Sequence, residues 1–294
     1  MNKTAFLCAL SAGTLWGIMG FFTRNLSANF SFTSLQITSL RLVVAALTFM
    51  VTSLIGNRER FRIKLRDIPL LCAMGVSGLM MLSLTYFLSI TYSSMAVAAS
   101  LMYTAPAIVI IASRILFGEK LTVYKFISLI AAFVGCCFVS GLIDKNDGGT
   151  VIGVVFGLLA GVFYASYSIF GTYALRKYDS GTATMWAFAC AALVSLIFID
   201  LPDFSAKVIA SSDKLRMFAL IIGMGVFTGF FPFLLYTASL ERTEASKAVI
   251  IASVEPLVAA LTGFIAFGET LTLYSSIGII LILISVVLTT KQRS

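Results

Sequence analysis

The chain has 294 residues, of which 59% are hydrophobic and 12% charged, and its net charge is +8. Soluble domains hold about a quarter of their residues as charges, so a water-soluble fold is excluded. Histidine is absent and the five cysteines, all within apolar stretches, are odd in number and form no C-x-x-C. An imidazole relay, a disulfide framework and a zinc site are therefore unsupported, which leaves the cysteines as small packing residues.

Ten apolar stretches follow one another, each long enough at 1.5 Å per residue to cross a hydrocarbon layer of about 30 Å. The first, 4–23, contains Ala12-Gly13 and Trp16-Gly17. Nine further spans and the lack of a cleavage site mark it as a membrane helix, not a leader. The second, 33–55, holds Arg41 about eight residues from one end, roughly 12 Å deep. After the basic run RERFRIKLR comes the third, 68–90, with Gly75 and Tyr86. The fourth, 95–117, carries Tyr103, Pro106 and Arg114 and is followed by Glu119; the fifth is 122–142. The sixth, 151–174, repeats the early pattern as Ala160-Gly161 and Tyr164, and the seventh is 181–200. The eighth, 215–239, has Gly225 and Tyr236, and the ninth, 245–267, has Lys247, Glu255 and Pro256 before Glu269. The tenth is 272–290.

Alternate loops differ in basic residues. One set holds 14 lysines and arginines, including Lys3, Lys291 and Arg293, whereas the other holds five, Lys145 among them. Basic loops stay cytoplasmic, so both termini are expected inside a multi-pass protein of the cell membrane.

The chain also repeats itself. YTAPAIVIIASRILFGEKLTVY at 103–124 and SVEPLVAALTGFIAFGETLTLY at 253–274 agree at eight of 22 positions, including F-G-E-x-L-T-x-Y. Gly75 and Tyr86 match Gly225 and Tyr236 at the same offset of 150, and the Ala-Gly pairs match at 148. Residues 1–145 and 146–294 therefore read as two five-helix repeats. Five is odd, so the second repeat enters the membrane from the opposite side.

Glu255 lies about ten residues into its span, where an unpaired carboxylate costs about 2.5–3.5 kcal/mol. Pro256 beside it has no N–H, which leaves the Ala252 carbonyl without its helical donor. Glu255 can bind a proton or an organic cation, or it can pair with Arg41 and lock helices together; the sequence leaves both open. Pro106 and Pro256 can act as packed kinks or as paired hinges. Trp16, Tyr86, Tyr103, Tyr164 and Tyr236 lie inside spans, where they can line a cavity or pack. Tyr92 and Tyr178, at helix ends, suit the interfacial belt. Glu119 and Glu269 are expected to cap the helix that follows each of them, and Arg114 and Lys247 to reach the interface.

Trp16-Gly17, Arg41, the prolines of the fourth and ninth spans and EPLVAALTGFIAFGE together resemble the EamA-type branch of the drug/metabolite transporter superfamily. The resemblance covers the whole chain, with Ala105 departing from the E-P form in the first half. It implies an all-α polytopic membrane protein, with helices 1–4 and 6–9 around a central cavity and helices 5 and 10 outside. It also implies secondary transport of a small organic solute. A single deep arginine suits amino acids or amine-like solutes better than anionic sugar-phosphate cargo, and export is the expected direction. A sugar or nucleotide-sugar carrier of the same fold and a passive channel are the alternatives. No phosphate-binding G-x-x-x-x-G-K-[ST] is present, so proton coupling or exchange is the expected drive. The expected partners are a small-molecule substrate and the lipid bilayer; no enzyme activity, cofactor, metal or nucleic acid is expected.

Overall fold

The computed structural model describes residues 2–93, 95–139, 150–268, 270 and 272–290. The expected cap Glu269, the basic residues Lys145, Lys291 and Arg293, and the expected boundary at 145–146 lie outside the described residues. Among the described residues all regular structure is helical. The rods are α1 (Lys3–Phe30), α2 (Ser34–Gly56), α3 (Leu65–Tyr92), α4 (Val97–Phe117), the shorter α5 (Val123–Val139), α6 (Val151–Ala174), α7 (Ser180–Phe198), α8 (Lys214–Leu240), α9 (Ala245–Phe267) and the shorter α10 (Leu273–Thr289). Eight of these are long and apolar enough to cross a membrane; within the described residues α5 and α10 are shorter.

Local chemistry sets the helix ends. Thr33 and Gln36 form a reciprocal cap at the start of α2: Gln36 N donates to Thr33 Oγ1 and Thr33 N to Gln36 Oε1, at 3.3 and 3.0 Å. The repeated F-G-E is a helix terminator. Gly118 and Gly268 follow α4 and α9 with φ of 70° and 67°, a left-handed conformation that glycine adopts without strain. The threonine of each copy then starts the next helix. Thr122 Oγ1 accepts from Lys125 N, and Thr272 Oγ1 from Ser275 N, at 3.2 and 3.1 Å.

Three features depart from the sequence reading. The first helix continues to Phe30 through a turn at Ile18. A short helix, Leu201–Ala210, occupies the expected loop between α7 and α8. Asp200 caps it, and Lys207 Nζ bonds Asp203 Oδ2 at 2.5 Å and Gln36 Oε1 at 3.0 Å, fixing it to the head of α2. Finally, α3 and α8 each contain a π-helical stretch, Ala73–Met81 and Gly225–Phe230.

Packing partners run between the halves of the chain. α1 lies along α8 and α9, and α6 along α3 and α4. α2 faces α7 and α8, α7 faces α2 and α3, and α5 runs against α10. The main core gathers Trp16, Phe49, Met74, Tyr167, Phe188 and Tyr236 from six of these helices.

Candidate functional site

Two helix breaks define the interior. In α9 the segment Ala245–Ala252 ends, Ser253 and Val254 form a turn, and Glu255–Phe267 begins anew with Pro256 in its first turn. The segment Met95–Met102, which opens α4 two residues before its apolar span, ends likewise, and Ala105–Phe117 restarts with Pro106. Proline cannot donate to the carbonyl four residues back, and its fixed φ suits the first helical turn. Each proline thus restarts a helix instead of bending a continuous one. Glu255 becomes the first residue of a helix, where free amides and the helix dipole favour negative charge.

Glycines bring the neighbouring helices onto these breaks. A Cβ on Gly13 would lie 2.5 Å from the Ala252 carbonyl oxygen and 2.7 Å from Val254 Cγ1, and one on Gly17 2.7 Å from the Glu255 carbonyl oxygen. On the other side, a Cβ on Gly161 would lie 3.1 and 3.4 Å from the carbonyl oxygens of Leu101 and Met102. The broken backbone is thus covered by protein, the condition under which non-helical backbone is tolerated at membrane depth.

Glu255 is half-buried, and Arg41, Tyr86, Tyr103, Tyr164 and Cys136 lie within electrostatic reach of its carboxylate. No hydrogen bond or ion pair joins that carboxylate to another described residue. Arg41, 9% exposed, instead donates Nη1 to Met19 Sδ at 3.2 Å. The direct Arg41–Glu255 pair that the sequence left open is therefore not formed; the two charges face each other at longer range. The hydroxyls of Tyr86, Tyr103 and Tyr164 likewise bond no described residue.

Trp16 bridges this group to a larger aromatic cluster. Its ring centroid lies 6.3 Å from that of Tyr164, 4.9 Å from Phe233 and 5.3 Å from Tyr236. Its Nε1 is buried with no acceptor. Tyr236 differs from the other candidates, being fully buried with its hydroxyl 2.7 Å from Ser168 Oγ. It supports Trp16 by packing. Tyr167, which the sequence reading passed over, lies 5.1 Å from Phe233 with its hydroxyl 2.9 Å from Thr237 Oγ1. Its place three residues after Tyr164 on one helix was the available signal.

The cap readings change. Glu119 does not cap the helix that follows it: its Oε1 accepts from Ala245 N at 3.1 Å and its Oε2 from Ser246 Oγ, so it caps α9. The left-handed Gly118 turns the chain toward α9 instead of back onto α5. Lys125 Nζ lies 3.2 Å from Glu119 Oε2 and 2.8 Å from Glu244 Oε2. Lys247 Nζ also reaches Glu244 Oε2, at 3.3 Å, so it is buried in this network and does not extend to an interface. Arg114 is exposed, as expected. Tyr178 adds to its expected belt role a hydrogen bond from its hydroxyl to Asp67 Oδ2 at 2.8 Å.

Membrane-length helices packed around an interior carboxylate make this a multi-pass membrane protein. The chain belongs to the EamA-like transporter family, whose profile matches residues 3–141 and again 151–291. An uncharacterized transporter of Archaeoglobus fulgidus is 30% identical over 280 residues, spanning 95% of this chain and 96% of its own. The uncharacterized inner membrane transporter YicL of Salmonella typhimurium is 23% identical over 290 residues, spanning 98% and 95%. One solved crystal structure covers 99% of this chain and 97% of its own, with a TM-score of 0.80 at 16% identity, a likeness of fold. The protein is a transporter.

Proposed function

We propose that this transporter is a secondary carrier that exports a small amino acid or amine-like metabolite by alternating access. Its site is the interior group formed by Glu255, Arg41, Trp16, Tyr86, Tyr103 and Tyr164. The carrying observation is that the Glu255 carboxylate, at the head of a half-helix, lies among unpartnered tyrosine hydroxyls without an ion pair to Arg41. A half-buried carboxylate with no ion pair is suited to an ammonium group or a proton, and ring faces suit a cation. Arg41 offers the opposite pole to a substrate carboxylate.

The same reading makes residues 1–145 and 146–294 two oppositely inserted five-helix repeats with both termini cytoplasmic. Supporting it, the packing partners of α1–α5 become those of α6–α10 when the halves are exchanged. The family profile also matches once in each half. Pro106 and Pro256 then mark equivalent joints where half-helices can tilt.

The test is counterflow in proteoliposomes with a labelled amino-acid and amine panel, wild type beside Glu255→Gln. Saturable counterflow, lost in a mutant with an unchanged elution profile, is expected. Counterflow surviving the mutation would remove Glu255 from the site. A panel with no counterflowing member would overturn the substrate class and favour sugar or nucleotide-sugar cargo, while a non-saturable flux would indicate a passive channel.

A further inference from the structure

The seam between α3 and α7 carries two thiols in register. The two helices start side by side, with the Tyr178 hydroxyl just before α7 bonded to Asp67 Oδ2 at the head of α3, and they meet backbone to backbone at Gly75 and Ala187: a Cβ on Gly75 would lie 2.6 Å from the Ala187 carbonyl carbon and 2.9 Å from its Cα. Beside this crossing, three residues back on α3 and three forward on α7, stand Cys72 and Cys190. Their Sγ atoms are 2.6 Å apart, and both cysteines are free. Only a glycine at the crossing lets the main chains approach so closely, and that approach brings the next pair of side chains within bonding reach.

The corresponding seam in the other half has no such chemistry. There Gly225 of α8 meets Val44 of α2, and beside that contact stand Ile222 and Leu47. These are 54% and 55% exposed and line a shallow apolar groove with Val44, Thr48, Val51 and Thr52. The seam position thus calls for apolar bulk toward lipid, and on the α3–α7 side alone it is filled by a thiol from each helix. Packing accounts for one small residue. It does not account for sulfur on both sides of one contact.

We propose that Cys72 and Cys190 are a redox-active pair that forms a reversible disulfide joining α3 to α7. Both S–H bonds break, one S–S bond forms, and two protons and two electrons pass to an acceptor. Exchange with glutathione needs thiolate at an aqueous surface, whereas these thiols are half-buried among apolar side chains, with Leu193 69% exposed one turn from Cys190. The acceptor is therefore an oxidant dissolved in the bilayer, a quinone reduced to its hydroquinone. The consequence is local and mechanical. Cys72 is the last residue before the π-helical stretch Ala73–Met81, and π turns mark helices that shift register at functional sites. A disulfide at Cys72 fixes one end of that stretch to a helix from the other half of the chain.

The experiment uses the full chain in proteoliposomes, treated with a short-chain quinone and then unfolded and alkylated. The number of alkylated cysteines is expected to fall from five to three, with a Cys72–Cys190 peptide pair lighter by two hydrogens, and to return to five after dithiothreitol. Cys190→Ser is expected to keep four alkylatable cysteines with or without quinone. Hydrogen–deuterium exchange across Ala73–Met81 is expected to slow on oxidation of the wild type and not of Cys190→Ser. A count that stays at five, a loss that persists in Cys190→Ser, or unchanged exchange in the oxidised wild type would each overturn the proposal. None of these readouts depends on the transported solute.

Discussion

Lys125 is a sharp test of the packing argument. It is 2% exposed, yet holds an ammonium 3.2 Å from Glu119 Oε2 and 2.8 Å from Glu244 Oε2. Through these two contacts α5 is joined to the end of α4 and the start of α9. Replacing it by Met keeps the apolar stem and removes the charge. Glu244 retains Lys247 at 3.3 Å, whereas Glu119, whose side chain is 9% exposed, is left with its cap hydrogen bonds and no cation. Breaking one partner of a buried pair costs about 3–5 kcal/mol, against about 0–1 kcal/mol for an exposed pair. At about 2–4 °C per kcal/mol, Lys125→Met should lower the thermal midpoint in detergent by on the order of 10 °C.

The double variant separates charge from volume. Glu119→Gln still accepts from Ala245 N but carries no charge, so Lys125→Met/Glu119→Gln should cost less than the sum of the single changes. A coupling of about 1–3 kcal/mol is expected for groups in direct contact. A midpoint drop of under about 2 °C for Lys125→Met, or strict additivity of the pair, would mean that water screens the network and would refute the reasoning.

Glu244 gives the pH counterpart. Burial raises its carboxyl, but Lys125 and Lys247 together outweigh that and hold it below its ordinary 4.5. The unfolded chain then binds more protons through that range, so the stabilisation is complete above the unfolded value and lost as pH falls through the folded one. The midpoint gap between wild type and Glu244→Gln should close below about pH 4.5; a gap constant with pH would contradict it. At the α1–α9 contact, a Cβ on Gly17 would lie 2.5 Å from Val258 Cβ, whereas one on Gly20 would meet nothing within 4 Å. Gly17→Ala should cost about 1–3 kcal/mol by overpacking and Gly20→Ala should be neutral or stabilising. Equal thermal midpoints for the two variants would disprove the close approach.

Which parts of this molecule could be read from the chain follows from the range of each interaction. Apolar length is local, and every span expected from it contains a helix. The F-G-E-x-L-T element is also local, since its glycine and threonine act within two turns. Glu119 failed as a reading because its partners, Ala245 and Ser246, are more than 120 residues away and nothing in its neighbourhood names them. The Leu201–Ala210 helix was missed for a different reason. Ten residues are too few for a span, and the bonds that hold it reach back to Gln36. The interior group was legible as residue types, because polar and aromatic side chains inside apolar spans are few. Its sorting was not: whether Tyr236 faces a ligand or Ser168 depends on a helix rotation that no sequence period specifies.

The difference between Ala105 and Glu255 follows from the energetics of the two breaks. Both prolines restart a helix, and both restarts offer free amides that would favour an acid. Two interior carboxylates would each carry an insertion cost of about 2.5–3.5 kcal/mol and would repel one another. One carboxylate facing one arginine leaves the interior near neutral while keeping the two charges apart, a balance that a substrate with both signs can enter without adding net charge. In the proposed reading, the matched breaks supply the mechanical part of transport. The single unmatched acid supplies its selectivity; Ala105 is fully buried in the main core, so Ala105→Glu should lower the thermal midpoint in detergent by overpacking and abolish counterflow, whereas retained counterflow would show that the acid's uniqueness is incidental.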